Sequence, residues 1–154
     1  MRFLTNTTLP INDKVPAKLG PTRLARAGKE GKNYSKARYL FTEIQSELGK
    51  HFIGIVGPRG VGKTVILKQL CASEPDTFYL SADTLDESDL YQVARILSDQ
   101  YKIRTLLVDE IHFCRTYPKD LKKIYDFQKI RLIFTSSVPE DKTRGKNPGL
   151  SCGA

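Results

Sequence analysis

Few folds accommodate GPRGVGKT, the stretch at positions 57–64, directly after an apolar run. The preceding residues FIGIV, at 52–56, predict a buried strand, and a helical pattern begins at Lys63. Three glycines in eight residues let the main chain turn tightly enough to bring successive N–H groups around one point. The stretch therefore predicts a strand, a tight loop and a helix in direct succession.

The spacing of this glycine-rich loop is G-x-x-x-x-G-K-[ST], with Gly57, Gly62, Lys63 and Thr64 at the defined positions. In that pattern, loop N–H groups and the start of the helix bind phosphate oxygens, the lysine reaches the β- and γ-phosphates, and the hydroxyl ligates Mg²⁺. We therefore predict a site for Mg-ATP; a surface turn before an ordinary helix is the alternative. The predicted nucleotide contacts are Gly57, Pro58, Arg59, Gly60, Val61, Gly62, Lys63, Thr64 and Val65.

Apolar segments and helical patterns alternate along the following sequence. The predicted strands are 52–56, 77–82, 105–110 and 131–137. The predicted helices run from Lys63 to about residue 72, along the face formed by Leu90, Val93, Ala94, Leu97 and Tyr101, and from near Pro118, where Leu121, Ile124 and Tyr125 should be buried. Strands that are apolar on both faces and alternate with helices indicate an α/β fold with a parallel sheet covered on both sides.

The ends of the chain lack this pattern. Residues 1–35 are rich in Pro, Gly, Asn and Lys without a sustained period, which predicts a basic, flexible segment. The predicted core covers 36–138 and opens with a short helix carrying Leu40, Ile44 and Leu48. Residues 139–154 have no period, so we expect no fifth core strand there.

The net charge of +8 is concentrated near the N-terminus. Residues 1–50 contain 10 Lys and Arg against 4 Asp and Glu, whereas residues 51–138 contain 12 against 11. A solvated tail explains this excess, and a nucleic-acid contact is the alternative. No window of about 18 apolar residues occurs, so we predict a cytoplasmic protein without a membrane segment. Three cysteines without a CxxC pair indicate neither a disulfide framework nor a zinc site.

Two acidic residues, Asp109 and Glu110, end the third predicted strand. A carboxylate at the end of a strand beside the glycine-rich loop can reach Mg²⁺ through water, and the next residue can deprotonate an attacking water. We therefore predict Thr64 and Asp109 as metal contacts and Glu110 as the catalytic base. We also predict Lys63 as a catalytic residue, because its charge neutralises the phosphates. A strand that merely reaches solvent is the alternative interpretation of this acidic pair.

The fourth predicted strand ends in Thr135, Ser136 and Ser137. A polar side chain here is typical of ATPases in which this strand lies between the loop and the acidic strand, where it touches the γ-phosphate or the attacking water. We predict Ser136 for this role, with Thr135 and Ser137 as alternatives, although such residues can also simply turn the chain. His51 and His112 are each isolated, which favours structural roles.

The chain resembles the AAA+ ATPases, within the additional-strand group that carries a catalytic Glu. More narrowly, it resembles prokaryotic ATP-binding proteins in which an AAA domain precedes an uncharacterised C-terminal region. The resemblance runs from about Tyr39 to Val138 through GIVGPRGVGKTVILKQL, FYLSAD, LLVDEIHF, YPKDLKKIYD and RLIFTSS. It implies a P-loop NTPase three-layer sandwich with strand order 5-1-4-3-2. Family members usually have a polar residue, often Gln, at the position of Gly60.

The segments that carry the resemblance contain no counterpart of the family's fifth strand, lid and arginines. Arg115 and Arg144 are the nearby arginines, and neither lies in a matching segment. A missing fifth strand leaves one edge of the first strand unpaired, which predicts a protein partner or self-association there. The resemblance thus implies slow ATP hydrolysis as a switch for a partner or C-terminal module. The alternatives are a non-hydrolysing nucleotide-binding module and, less favoured by the acidic pair, a small-molecule kinase.

Overall fold

The computed structural model describes residues 29–36, 39–47, 52–85 and 90–138. Helices and strands alternate along this part of the chain. In order, they are helix α1 (Tyr39–Ser46), strand β1 (Ile53–Gly57), helix α2 (Lys63–Ser73), strand β2 (Thr77–Ser81), helix α3 (Leu90–Tyr101), strand β3 (Thr105–Asp109), helix α4 (Tyr117–Phe127) and strand β4 (Arg131–Ser137). Single 3-10 turns follow β2 and β3, at Ala82–Thr84 and Ile111–Phe113.

The four strands form one parallel sheet in the order β1-β4-β3-β2. This arrangement confirms the predicted α/β class and the 1-4-3-2 part of the predicted order. Among the described residues, β1 has a partner strand on one side only. Residues 139–154, where we expected no further core strand, lie outside the described part of the chain. Because all four strands are parallel, their carboxyl ends meet at one edge of the sheet.

Both faces of the central strands are covered. Leu106, Leu107 and Val108 on β3 are fully buried although their side chains alternate between the faces. One face packs against α1 and α2 through Ile44, Ile55, Ile66, Leu67, Leu70, Leu107 and Ile133. The other packs against α3 and α4 through residues that include Phe78, Leu80, Val93, Leu97, Leu106, Val108, Ile124 and Leu132. This layering explains the continuous apolar runs and gives the predicted three-layer sandwich.

Two predictions of burial are wrong. Tyr125 is 63% exposed, whereas Ile124 is fully buried. Consecutive helical residues point about 100° apart, so the face that buries Ile124 turns Tyr125 outward, where its ring meets Phe52 edge-on at 5.6 Å. On β1, Gly54 and Val56 are exposed, with Val56 at 62%. The described helices α3 and α4 therefore leave this face of β1 partly uncovered.

Residues 29–36, which include the end of the segment 1–35 predicted to be flexible, pack against α2. Residues 29–32 are helical, and Gly31 is buried. A Cβ atom at Gly31 would lie 2.0 Å from the main-chain oxygen of Lys68, so only glycine permits this close approach. The side-chain amide of Gln69 donates to two main-chain carbonyl groups of the segment, each at 3.1 Å. Local composition did not reveal this docking, because its contacts come from a helix more than 30 residues away.

A Gly31→Ala substitution should displace residues 29–36 from α2, because the added methyl group overlaps main-chain atoms. We expect the free energy of unfolding in urea to fall by about 1–3 kcal/mol, and residues 29–36 to be cut faster in limited proteolysis. Lys32→Ala, at an exposed neighbouring position, is the control. Equal stability and equal protection in the two variants would contradict the close packing.

Candidate functional site

The glycine-rich loop connects the end of β1 directly to the start of α2. Gly60 and Gly62 adopt left-handed backbone conformations, with φ of 81° and 89°, which residues other than glycine rarely adopt. Gly62 is also the N-cap of α2, and no side chain caps the helix there. The first N–H groups of α2 therefore remain available at the loop, which is the arrangement that binds anions.

Lys63, the first residue of α2, is only 6% exposed. Its ammonium group donates to the main-chain oxygens of Gly57 at 2.9 Å and Pro58 at 2.7 Å. Within the described residues it contacts no carboxylate. A buried cation without a negative partner is unfavourable, so the loop holds a positive charge that suits an anionic ligand.

The other predicted loop contacts differ in exposure. The residues in the middle of the loop are exposed: Pro58, Arg59, Gly60 and Val61. Those next to the strand and the helix are half-buried: Gly57, Gly62, Thr64 and Val65.

Asp109, the last residue of β3, is buried and held from both neighbouring strands. Its Oδ2 accepts a hydrogen bond from the Tyr79 hydroxyl at 2.9 Å, and its Oδ1 accepts one from the Thr135 hydroxyl at 2.5 Å. Burial and, next, the charge of Asp109 raise the pKa of Tyr79 far above its usual range, so Tyr79 remains a donor. Each carboxylate oxygen keeps a second lone pair, which suits a contact with Mg²⁺ through water.

Glu110 leaves the strand in a left-handed conformation, with φ of 52° and ψ of 51°. For a residue other than glycine this conformation costs roughly 1–2 kcal/mol. The Glu110 N–H donates to the Thr135 hydroxyl at 2.9 Å, which helps to hold the turn. Its carboxylate Oε1 accepts a hydrogen bond from the Ser137 hydroxyl at 2.7 Å. The acidic pair is thus fixed by the end of β4.

Thr135 supports the acidic pair from within the sheet. It is fully buried, and its hydroxyl donates to Asp109 while accepting from the N–H of Glu110. Sequence reasoning considered Thr135 only as an alternative to Ser136 for a γ-phosphate contact. The period of two along a strand could have indicated its orientation, because Thr135 shares a face with Ile133, which packs against α2.

The same alternation separates Ser136 from Ser137. Ser137 lies on the Thr135 face and bonds to Glu110, whereas the Ser136 hydroxyl lies 3.4 Å from Nδ1 of His112. A γ-phosphate contact by Ser136 stays a prediction. His112 also lies 3.3 Å from Oε2 of Glu110, a proximity that sequence reasoning missed.

The remaining candidates are peripheral or undescribed. Arg115 is exposed, and no described arginine forms an ion pair with the acidic pair. His51 and Arg144 lie outside the described residues. The described residues contain no group of three or more His, Cys, Asp or Glu side chains that could hold a metal ion. A Mg²⁺ ion here would therefore depend on Thr64, Asp109, water and ligand oxygens, as is usual for that ion beside phosphates.

The position of β4 brings the loop and the acidic pair together. Gly57, at the start of the loop, is paired in register with Ser137, and the Val138 N–H donates to the Gly57 carbonyl at 3.2 Å. Ser137 in turn donates to Glu110. The loop after β1 and the carboxylates after β3 thus lie at one edge of the sheet, with only β4 between them.

A family described as the AAA domain matches residues 49–150, more than half of the chain. This chain belongs to that family. The match confirms the AAA-type ATPase resemblance and, with the parallel sheet, the P-loop NTPase-like fold. It also takes in residues 139–150, which the sequence pattern left outside the core.

Comparison with solved structures finds PCH-2 from C. elegans, at 17% identity and a TM-score of 0.39. The similarity covers 80% of this chain and 38% of that chain, so this chain spans well under half of the length of PCH-2. A likeness at this level carries no information on function. No curated protein matches the chain. None of the helices in the described ranges has the length and apolar character that a membrane-spanning helix needs.

Thr135→Val should destabilise the AAA domain more than Thr135→Ser. Valine keeps the shape but leaves Asp109 Oδ1 and the Glu110 N–H without this partner, and each such loss costs about 1–3 kcal/mol. Serine keeps the hydroxyl and loses only a methyl group. Urea unfolding of the three proteins measures the difference. If the valine variant were as stable as the serine variant, Thr135 would contribute by packing alone.

Proposed function

We propose that this AAA domain binds Mg-ATP at the glycine-rich loop and hydrolyses it slowly, as a switch for a partner or a further module. The buried Lys63 ammonium group carries this proposal. It donates hydrogen bonds to two main-chain oxygens and contacts no carboxylate in the described residues. A polyphosphate supplies the negative charge that this environment lacks.

The loop and the start of α2 would hold the phosphates. Their N–H groups would bind phosphate oxygens. Lys63 would replace one of its hydrogen bonds to a main-chain carbonyl oxygen with a hydrogen bond to a charged phosphate oxygen, which is stronger. The Thr64 hydroxyl and a water held by Asp109 would ligate Mg²⁺, which neutralises charge on the phosphates when bound.

Glu110 would act as the general base. Its carboxylate accepts a proton from a water whose oxygen forms the new bond to the γ-phosphorus, while the bond from that phosphorus to the bridging oxygen breaks and ADP leaves. Ser137 orients Glu110 through the 2.7 Å hydrogen bond. Ser136 remains our candidate for contact with the γ-phosphate.

We expect slow turnover because no described arginine forms an ion pair with the acidic pair. An arginine finger contributes roughly 10³–10⁵ in rate, or about 4–7 kcal/mol of barrier. We propose that a partner or a second copy supplies it. The outer edge of β1, beside the exposed Val56, has no partner strand among the described residues and is our candidate contact surface, because an unpaired strand edge can accept another strand.

Two substitutions separate binding from hydrolysis. Lys63→Met keeps the buried stem but removes the charge, and we expect it to weaken Mg-ATP binding in calorimetry at least tenfold, since losing a buried charged partner costs about 2–5 kcal/mol. Glu110→Gln should retain binding but lower phosphate release by roughly 10²–10⁴. Both assays are repeated with EDTA, which should weaken binding and abolish release.

Lys122→Met is the matched control, because Lys122 is an exposed lysine on α4 away from the loop. Heat of ATP binding that is unchanged in Lys63→Met would refute the binding site. Normal binding together with phosphate release that is unchanged in Glu110→Gln would refute hydrolysis and favour the non-hydrolysing alternative.

A further inference from the structure

The two carboxylate oxygens of Glu110 have unequal surroundings. Oε1 accepts a hydrogen bond from the Ser137 hydroxyl at 2.7 Å. Oε2 is shielded from solvent and forms no hydrogen bond among the described residues, although it lies 3.3 Å from Nδ1 of His112. A buried carboxylate oxygen without a hydrogen-bond donor is unfavourable, so a donor close to Oε2 would stabilise this arrangement.

His112 is placed to supply that donor. It lies in the 3-10 turn directly after Glu110, with its side chain 31% exposed. The Phe113 ring stacks on the imidazole at 4.6 Å between centroids, with 31° between the ring planes. The same Nδ1 atom is within hydrogen-bond distance of the Ser136 hydroxyl, at 3.4 Å, and the tautomer of the ring decides which of the two atoms donates. Nδ1 therefore faces the carboxylate and the end of β4.

The position of the proton on the neutral ring decides whether this contact attracts or repels. With the proton on Nε2, Nδ1 could accept from the Ser136 hydroxyl, but its lone pair would also face a buried anionic oxygen, and Oε2 would have no donor among the described residues. With the proton on Nδ1, the ring can donate to Oε2 after a small rotation. The Ser136 hydroxyl then keeps its own hydrogen for another acceptor, because a protonated Nδ1 cannot accept it.

We propose that His112 is a positioning residue for Glu110, carrying its proton on Nδ1 and donating it to Oε2. His112 and Ser137 then hold the two oxygens of the carboxylate in one orientation. The catalytic consequence rests on the proposed function, in which this carboxylate is the base. The hydrogen bond itself does not depend on that function.

Nitrogen-15 NMR of the imidazole rings tests the hydrogen bond without ATP. The chain contains two histidines, so a His51→Gln background leaves His112 as the one that is observed. At a pH where the ring is neutral, we expect the proton on Nδ1, and a Glu110→Ala substitution should move it towards Nε2. A lone pair on Nδ1 in the parent, or a proton position that does not respond to Glu110→Ala, would overturn the proposal.

Two amide substitutions test the catalytic consequence. In His112→Asn the side-chain amide nitrogen can occupy the place of Nδ1, whereas in His112→Gln it reaches the place of Nε2. We expect kcat to fall roughly tenfold in His112→Gln, with KM for ATP unchanged, and to be largely retained in His112→Asn. Equal rates in the two variants would show that the donor at Nδ1 does not position the base. Circular dichroism checks that both variants fold.

The two proposals fail in different ways. If the parent neither binds nor hydrolyses ATP, the proposed function is wrong, and the NMR result still decides whether His112 bonds to Glu110. If the parent hydrolyses ATP but His112→Gln matches it and Nδ1 carries no proton, the proposed function stands and the role of His112 is refuted.

Discussion

The pairing of β4 with both β1 and β3 is the constraint on which the site depends. It sets Gly57 beside Ser137 and brings the end of β4 against Asp109 and Glu110. Parallel strands spaced about 4.8 Å apart put the loop and the acidic pair within roughly 10 Å. β4 thus sets the separation between the loop and the acidic pair, and it contributes Thr135 and Ser137, whose hydroxyl groups contact the two carboxylates.

The polar groups at this edge differ in how completely they are satisfied. Asp109 accepts from two strands, and Thr135 uses its hydroxyl as both donor and acceptor. Lys63 is buried beside carbonyl oxygens, and Glu110 is held in a left-handed turn with one oxygen that accepts no hydrogen bond within the described ranges but lies 3.3 Å from His112. Buried charge and backbone strain persist only where the surrounding structure holds them, and such features concentrate at functional sites. The rigid part of this edge thus supports the two groups with unsatisfied charge.

Much of the site could be predicted because its signals are local. The glycine spacing specifies a loop conformation, and acidic residues at the end of an apolar strand must lie at the carboxyl edge of a parallel sheet. The role of Tyr79 could not be predicted in this way, since tyrosine is common in strands. Its hydrogen bond to Asp109 joins two neighbouring strands that are distant in the sequence. Ser137 contacts Glu110 while Ser136 faces His112, because adjacent strand residues point to opposite faces.

The amino-acid sequence alone determined the α/β class, the glycine-rich loop and the identity of the acidic pair, because backbone preference and hydrophobic period act over a few residues. Tertiary structure alone decided which hydroxyl meets which carboxylate, that residues 29–36 dock on α2, and that one side of β1 and Tyr125 are exposed. These outcomes depend on register and layer coverage between segments far apart in the chain. No local pattern encodes them, since each contact requires two distant elements to be packed together first.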